Sequence, residues 1–288
     1  MIRYDLHTHS TSSDGDLSPS ELVSAAAEQN VVVIALTDHD TVSGCGEAAE
    51  EAEKRGIGFV PGIEISCSEL DKLHILGLGV DYSNAELIGE MSKCADSRRQ
   101  RTYRICEALA EMGANVDAEK INSSVRGNVG KPHIARELIN NGYAESVRDA
   151  FAKYLTDPRI EDIKKYELGY AEAVALIHKA GGLAVLAHPY QMKLTDAGLD
   201  SFAGKLKECG LDGIECWYSA FTPEMTKQYL ALADKYDLLV SLGSDYHGVT
   251  VKPDIHLAEG ISGSIIKQRE LFPFECARCI LNSLEIRK

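Results

Sequence analysis

The sequence lacks any hydrophobic run long enough to cross a membrane. Its longest uninterrupted apolar stretch, residues 31–36, is far shorter than the roughly 20 residues that a spanning helix needs. No basic segment followed by an apolar core precedes the first predicted strand, so we expect no signal peptide. Without a secretion signal, the 8 cysteines predict reduced thiols, no structural disulfides and a cytoplasmic protein.

Positive charge is also scarce. The chain has 30 Lys and Arg residues against 44 Asp and Glu residues, which gives a formal net charge of −14. Such a charge repels polyanions at long range, which argues against a duplex nucleic acid partner. A small phosphorylated substrate or short RNA can still bind where cations gather locally. The many acidic residues favour metal ions as partners.

The motifs of several enzyme classes are missing. No Gly-x-Gly-x-x-Gly, P-loop or Gly-x-Ser-x-Gly sequence occurs, which counts against nucleotide-cofactor enzymes and serine hydrolases. The pair Cys276 and Cys279 has the spacing of zinc ligands, but no second pair follows it. We therefore interpret the two residues as helix cysteines.

Short apolar runs alternate with amphipathic stretches, a pattern typical of an α/β fold with a largely parallel sheet. A length of 288 residues suits one barrel of roughly 250 residues with an insertion. Between residues 97 and 169 several helical patterns follow one another without a strand, which predicts a small helical insertion domain. The barrel would then comprise residues 1–96 and 170–288, with the segment after about Gly260 closing it. The predicted strands are residues 2–6, 31–36, 57–65, 73–79, 183–187, 213–217 and 238–242.

Histidines and carboxylates recur at the predicted strands and their ends. His7 and His9 lie two apart on a strand, so both side chains can reach one metal ion. An isolated pair is more often solvated or structural, but the repetition at later strands favours a metal site, because the carboxyl ends of barrel strands converge. The candidate ligands are too many for one ion and suit two or three ions, with a carboxylate such as Glu64 as a bridge. Imidazole and carboxylate donors without thiolate favour Mn²⁺, Fe²⁺ or Zn²⁺. The candidate ligands are His7, His9, Asp14, His39, Glu64, His74, His188, Asp245 and His247.

Cations gather in the predicted insertion. Arg98 and Arg101 share a helix face in its most basic run, although a solvated charged face explains that run equally well. Lys131 and His133 stand at a helix start, where backbone amides also favour anions. Together these residues predict a phosphate-binding site. Its candidate members are Arg98, Arg99, Arg101, Lys131 and His133, with Arg126 and Arg136 as weaker candidates and with His178 and His256 assigned to the surface.

The order and spacing of these motifs, over residues 1 to about 250, resemble the PHP (polymerase and histidinol phosphatase) family. The blocks that carry the resemblance include residues 5–11, 36–41, 61–66, 187–189 and 244–248. It implies a distorted seven-stranded (β/α) barrel with a three-metal site that cleaves phosphate esters. The ligand groups that it implies are His7, His9, Glu64 and Asp245 for one ion, Asp14, His39 and His247 for a second, and Glu64, His74 and His188 for a third.

Gly130-Lys131-Pro132-His133 in the insertion resembles a subgroup of 3′,5′-nucleoside bisphosphate phosphatases and 5′-3′ exoribonucleases. The implied activity is phosphate release from a nucleoside 3′,5′-bisphosphate, with trimming of short RNA from its 5′ end as an additional activity. The attacking group would be a metal-bound hydroxide, with His188 and His247 as catalytic candidates. Lys131 replaces the arginine usual in that subgroup. Three alternatives stay open: a histidinol-phosphate phosphatase, an amidohydrolase-like C–N hydrolase, and a non-catalytic domain that the metal site stabilises.

Overall fold

The computed structural model describes residues 3–125 and 127–258 and confirms the predicted α/β barrel. Its seven strands form one sheet in chain order. The sheet closes because β7 meets the chain that follows β1, where the backbone N–H of Leu6 donates to the carbonyl oxygen of Leu242 at 3.2 Å. The strands are β1 (Arg3–Asp5), β2 (Val31–Leu36), β3 (Gly58–Ser66), β4 (His74–Leu78), β5 (Leu183–Leu186), β6 (Gly213–Tyr218) and β7 (Leu239–Gly243).

One strand departs from the parallel pattern. β4 runs antiparallel to both β3 and β5, whereas the other neighbouring pairs are parallel. The connection from β3 to β4 spans only residues 67–73, too few for the helical crossover that a parallel pair requires. The reversal places His74, the first residue of β4, opposite Ser66, the last residue of β3. His74 therefore lies at the same barrel end as the carboxyl ends of the parallel strands.

Amphipathic helices surround the sheet and bury their apolar faces, as in α1, where Leu22, Val23 and Ala26 are buried. None of the described helices has the length and apolarity needed to cross a membrane. In chain order the helices are α1 (Pro19–Glu28), α2 (Cys45–Arg55), α3 (Ala85–Glu111), α4 (Ala118–Ser124), α5 (Lys131–Asn140), α6 (Val147–Ala150), α7 (Pro158–Glu161), α8 (Tyr170–Lys179), α9 (Asp196–Glu208) and α10 (Pro223–Tyr236), together with a π-helix (Phe151–Leu155) and a 3₁₀-helix (Pro189–Met192).

The helical segment between β4 and β5 forms a compact unit of its own, Gly89–Glu167. We predicted that it starts at residue 97, but that position falls inside the continuous helix α3. All its described regular structure is helical, and it has a separate apolar core that includes Leu109, Ile134 and Leu138. Residues 147–155 form α6 followed directly by the π-helix. The predictions for Cys276, Cys279 and the segment after about Gly260 lie outside the described residues.

Gly243, at the end of β7, lies where the closure of the barrel leaves no room for a side chain. A Cβ atom added there would lie 2.2 Å from Cβ of His7 and 2.9 Å from Oε1 of Glu215. We expect Gly243→Ala to reduce the free energy of unfolding by about 1–3 kcal/mol, because the added methyl group overpacks this site. Urea unfolding measures the effect.

Gly46→Ala on α2 is the matched control, since its added Cβ meets no atom closer than 4.0 Å. That substitution should leave stability unchanged or raise it by up to about 1 kcal/mol, because alanine is the better helix former. Equal destabilisation by both substitutions would contradict the packing argument.

Candidate metal centre

The nine candidate ligands lie at one end of the barrel. The segments that follow β1, β2, β5 and β7 contribute most of them, Glu64 lies on β3, and His74 begins β4. In all nine residues at least three quarters of the side-chain surface is inaccessible to solvent, with Asp14 the most exposed at 24%. The predicted convergence of donors from distant parts of the sequence is therefore present.

Glu64 lies at the centre of this cluster. Its Oε1 atom is 2.8 Å from Nδ1 of His74 and 2.8 Å from Nε2 of His188. Its Oε2 atom is 3.0 Å from Nδ1 of His39, 3.2 Å from Nε2 of His9 and 3.4 Å from Nε2 of His7. Five imidazole rings thus surround one carboxylate that is 0% exposed.

The distances fit ligands that share metal ions. Two donor atoms that each lie about 2.1 Å from one ion, in tetrahedral or octahedral geometry, are roughly 3.0–3.4 Å apart. Oε2 of Glu64 and Oδ1 of Asp14 are buried and face ring nitrogens at 3.0 Å and 3.3 Å, without a hydrogen bond of regular geometry within the described part of the chain. Buried carboxylate oxygens are costly without a partner, so a cation suits both positions.

Three groups of ligand atoms lie mutually within 4.8 Å. The group of His7, His9, Glu64 and Asp245 matches one that the family resemblance implies. The group that contains Asp14 and His247 adds His9 to the implied residues. The group that contains Glu64 and His74 has His39 where the resemblance implies His188, and His188 contacts Glu64 directly. The assignment of each residue to an ion stays a prediction. The groups are His7, His9, Glu64 and Asp245; His9, Asp14, His39 and His247; and His39, Glu64 and His74.

Two buried aspartates shape the loops that carry these donors. Asp38 accepts hydrogen bonds from the N–H of Ser10 at 2.8 Å and from the hydroxyls of Ser10 and Ser13 at 2.6 Å. It thereby fixes the loop between His9 and Asp14. Asp5 accepts from the N–H of Ser244 at 2.9 Å and from its hydroxyl at 2.6 Å, which ties β1 to the loop after β7.

Opposing effects shift the pKa values of the central histidines. Burial lowers the pKa of His9, but the carboxylates of Asp245 and Glu64 outweigh it and raise that pKa to about 9. For His39 burial dominates and lowers the pKa to about 4. Nε2 of His7 and Nε2 of His9 lie 3.1 Å apart, close enough for one proton to be shared between them. The raised pKa of His9 favours such a shared proton at neutral pH when no ion is bound.

The backbone is strained at two of the candidate ligands. His188 has φ 25° and Asp245 has φ 57°, in the left-handed region that residues with a side chain rarely occupy. Hydrogen bonds hold both positions: the N–H of His188 donates to Oε2 of Glu215 at 2.7 Å, and the N–H of Asp245 donates to the carbonyl oxygen of His7 at 2.8 Å. Such strain is typical of functional sites.

Our sequence reasoning missed three residues that surround the candidate ligands. Glu215 is 0% exposed, and its Oε1 atom lies 3.0 Å from Nδ1 of His7. The hydroxyl of Tyr218 donates to Oδ2 of Asp245 at 2.7 Å, and the ammonium of Lys252 contacts the same oxygen. Glu215 could have been found, because an acidic residue within the apolar strand β6 requires a buried partner. No local spacing points to Tyr218 or Lys252.

The insertion unit brings some of the predicted cations together. Arg98, Arg101 and Lys131 line one small pocket at the start of α5. Burial, with a further contribution from Arg98, lowers the pKa of Arg101. Arg99 does not line this pocket and instead lies 3.7 Å from Asp96 at the surface. The grouped cations, which repel one another, are a suitable environment for an anion.

Three of the predicted phosphate ligands have structural roles as well. Nε of Arg101 donates to the carbonyl oxygen of Ile163 at 2.6 Å. Nζ of Lys131 donates to the carbonyl oxygen of Leu155 at 2.8 Å, at the end of the π-helix. Nδ1 of His133 accepts from the N–H of Gly130 at 3.1 Å, which caps α5. Arg136 lies on α5 outside the lining of this pocket, and Arg126 lies outside the described residues. Outside the metal cluster, His178 is 40% exposed and pairs with Asp212 at 2.7 Å.

The sequence pattern of the PHP domain matches residues 5–208, a segment that includes seven of the nine candidate ligands. The chain belongs to the PHP domain family. This finding confirms the resemblance drawn from the motifs, and it agrees with the seven-stranded barrel and the convergence of histidines and carboxylates at one of its ends.

Characterised PHP relatives have several different names. A 5′-3′ exoribonuclease of Escherichia coli is 35% identical over 252 residues, covering 85% of each chain. A 3′,5′-nucleoside bisphosphate phosphatase of Chromobacterium violaceum is 31% identical, covering 100% of this chain and 98% of the relative. A phosphoribosyl 1,2-cyclic phosphate 1,2-diphosphodiesterase of Eggerthella lenta is 34% identical, covering 85% of this chain and 94% of the relative.

Two solved structures share this fold over nearly their whole length. A protein from Chromobacterium violaceum, named an amidohydrolase and containing bound sulfate and no metal, superposes with a TM-score of 0.80 at 28% identity, covering 97% of this chain and 96% of that one. A protein from Bifidobacterium adolescentis, provisionally named a metal-dependent phosphoesterase, superposes with a TM-score of 0.78 at 31% identity, covering 92% and 94%.

Glu215 orients two of the candidate ligands in this PHP site. One of its oxygens contacts Nδ1 of His7, and the other accepts a hydrogen bond from the backbone N–H of His188. A glutamine side chain offers only one accepting oxygen. We therefore expect Glu215→Gln to weaken metal affinity about 10- to 100-fold, the usual effect of losing a partner behind a ligand. Titration of the metal-free protein with Mn²⁺ measures it.

Glu208→Gln, at the end of α9 away from the cluster, is the control and should bind Mn²⁺ as the unmodified protein does. Unchanged Mn²⁺ affinity in Glu215→Gln would show that Glu215 does not position these ligands.

Metal binding should also release protons. At pH 7 an ion at His7 and His9 must displace the proton that the two Nε2 atoms share, because a metal ligand uses a deprotonated nitrogen. We expect release of about one proton from this pair, and less as the pH rises through the pKa of His9 at about 9. Calorimetric titrations with Mn²⁺ in buffers of different ionisation enthalpy count the protons. Buffer-independent heats at pH 7 would contradict the shared proton.

Proposed function

We propose that this PHP protein is a metal-dependent phosphoesterase that hydrolyses a phosphate monoester of nucleoside 3′,5′-bisphosphates. The central observation is the carboxylate of Glu64, buried among five imidazole rings with donor distances that suit shared ions. Family membership supports the phosphoesterase class. The relative named a nucleoside bisphosphate phosphatase supports the substrate, since it aligns with the whole chain.

The proposed ligands are the nine residues predicted from the sequence, holding two or three ions. An imidazole and carboxylate donor set without thiolate suits Mn²⁺, Fe²⁺ or Zn²⁺. Divalent ions in such a site lower the pKa of water toward neutrality and neutralise charge on phosphate oxygens. His188 and His247 are our catalytic candidates as ligands that would hold the ions beside the attacking water. Their rings lie within the cluster, with His188 Nε2 2.8 Å from Glu64 and His247 Nε2 3.3 Å from Asp14.

We further propose that the cationic pocket of the insertion unit binds a second phosphate. Arg98, Arg101 and Lys131 line it, and the N-terminus of α5 contributes backbone amides. Arginine binds phosphate through charge-assisted hydrogen bonds, often two at once. His133 lies at the same helix start. Arg99 lies outside the pocket and would contribute to phosphate binding only through its positive charge.

The amidohydrolase alternative has one observation in its favour, the name of the Chromobacterium violaceum structure at 28% identity. That structure nevertheless contains bound sulfate, a tetrahedral anion of the same shape as phosphate. Together with the cationic pocket of the insertion, this favours phosphate ester hydrolysis over C–N bond hydrolysis. Short RNA fits as an additional substrate, because a relative named an exoribonuclease is 35% identical.

A substrate panel tests the proposal. It contains a nucleoside 3′,5′-bisphosphate, a nucleoside 5′-monophosphate, a 5′-phosphorylated RNA tetranucleotide, histidinol phosphate, a ribose 1,2-cyclic phosphate and an N-acyl amino acid. With Mn²⁺ we expect phosphate release with the highest kcat/KM for the bisphosphate, and loss of activity on chelation with recovery when Mn²⁺ is restored. C–N cleavage without phosphate release, or a preference for histidinol phosphate, would contradict the proposal.

Arg98→Met tests the second phosphate site within the same panel. We expect KM for the bisphosphate to rise about tenfold, with little change for the monophosphate, because one charge-assisted hydrogen bond is lost. Arg99→Met is the matched control, since Arg99 lies outside the pocket. Equal effects of the two substitutions on KM for the bisphosphate would show that the pocket does not bind the substrate.

A further inference from the structure

Lys252 places an ammonium group against one of the candidate metal ligands. It lies in the loop after β7, and its ammonium contacts Oδ2 of Asp245, the same oxygen that accepts from the hydroxyl of Tyr218 at 2.7 Å. The other oxygen, Oδ1, lies 3.2 Å from Nε2 of His9 and 3.3 Å from Nδ1 of His247. Asp245 thus directs Oδ1 toward the candidate ion and Oδ2 toward Lys252.

The loop that carries Lys252 is fixed to the loop that follows β1. The carboxylate of Asp16 accepts from the N–H of Thr250 at 2.6 Å and from its hydroxyl. The N–H of Lys252 donates to the carbonyl oxygen of Gly248 at 2.9 Å. Gly248 has φ 97°, and an added Cβ would lie 2.4 Å from Cβ of Asp16. Lys252 is therefore held in place by its backbone and is not a freely moving surface side chain.

The ammonium of Lys252 retains hydrogen-bonding capacity toward solvent. Its side chain is 31% exposed, whereas that of Asp245 is 3% exposed. An ammonium has three N–H donors. Among the described residues its further contact is the carbonyl oxygen of Asp245 at 3.5 Å, the limit of a hydrogen bond. At least one donor is thus available to a group that enters the site from solvent.

A purely positioning role does not account for this cation. Tyr218 already donates to Oδ2 of Asp245 without a charge. A positive charge beside divalent ions repels them, so a neutral donor would hold Asp245 at a lower electrostatic cost. The charge becomes favourable once an anion binds between the ammonium and the ions.

We propose that Lys252 binds a non-bridging oxygen of the phosphate group that enters the metal site, in the substrate and in the product. This inference rests on the proposed phosphoesterase function, and it adds a protein ligand for the phosphate that reacts. It differs from the second phosphate assigned to the insertion, since Lys252 belongs to the barrel unit alone.

Inorganic phosphate is the probe, and Lys252→Met and Lys252→Arg are the variants. Calorimetry measures Mn²⁺ binding to the metal-free protein and phosphate binding to the Mn²⁺-loaded protein. In Lys252→Met we expect the Kd for phosphate to rise about tenfold, because a charge-assisted hydrogen bond is lost, while Mn²⁺ affinity is unchanged or higher. Lys252→Arg should restore most of the phosphate affinity.

Lys235→Met on α10 is the matched control, a lysine paired with Asp200 at 2.6 Å and distant from the cluster; it should change neither affinity. Weaker Mn²⁺ binding with unchanged phosphate binding in Lys252→Met would reduce Lys252 to a positioning residue and overturn the inference, as would no change in either affinity. If Lys252→Met does not fold by circular dichroism, Lys252→Gln provides the same comparison. Because phosphate binding is measured without turnover, this experiment can support the role of Lys252 even if every phosphate ester in the panel resists hydrolysis.

Discussion

The burial of carboxylates among imidazole rings is the constraint on which the rest of this structure depends. Glu64 and Glu215 are both 0% exposed, and burying a charge is costly unless it is paired. The surrounding histidines supply that pairing, so His7 lies between Glu215 on one ring nitrogen and Glu64 on the other. Bound ions would take the place of a proton shared by these ring nitrogens, since a metal ligand uses a deprotonated nitrogen.

Hydrogen bonds to buried aspartates fix the loops around the centre. Asp5, Asp38 and Asp40 stand at or just after the ends of β1 and β2, and each accepts a backbone N–H from a neighbouring segment. Their carboxylates point into the backbone, whereas the adjacent histidines face the cluster. The alternation of acid and histidine in these segments therefore separates two tasks, since the aspartates hold the loops and the histidines place their rings in the cluster.

Much of this arrangement could be predicted from the sequence, because it follows from local periodicity. Strand ends converge in a barrel, so donors at the ends of β1, β2, β5 and β7 were expected to meet. His74 needed more, since it starts a strand, and only the reversal of β4 brings it to the same end. Contacts of Tyr218 and Lys252 with Asp245 depend on how distant loops pack, which no spacing reveals. The family resemblance likewise implied ligand groups but not the carboxylate of Glu215 behind His7.

The contrast between Lys131 and Lys252 shows why charge pattern alone predicts substrate contacts poorly. Lys131 drew attention because it stands with His133 at a helix start, yet one of its N–H groups donates to the carbonyl oxygen of Leu155, where it stabilises the end of the π-helix. Lys252 has no basic neighbours in sequence, but the fold places it against a candidate metal ligand. A lysine binds a phosphate only where its ammonium faces the site with donors to spare, and that condition depends on three-dimensional packing. In our proposal, selectivity among phosphate esters depends on a few such cations, while the carboxylates and imidazoles of the barrel hold the ions that supply the chemistry.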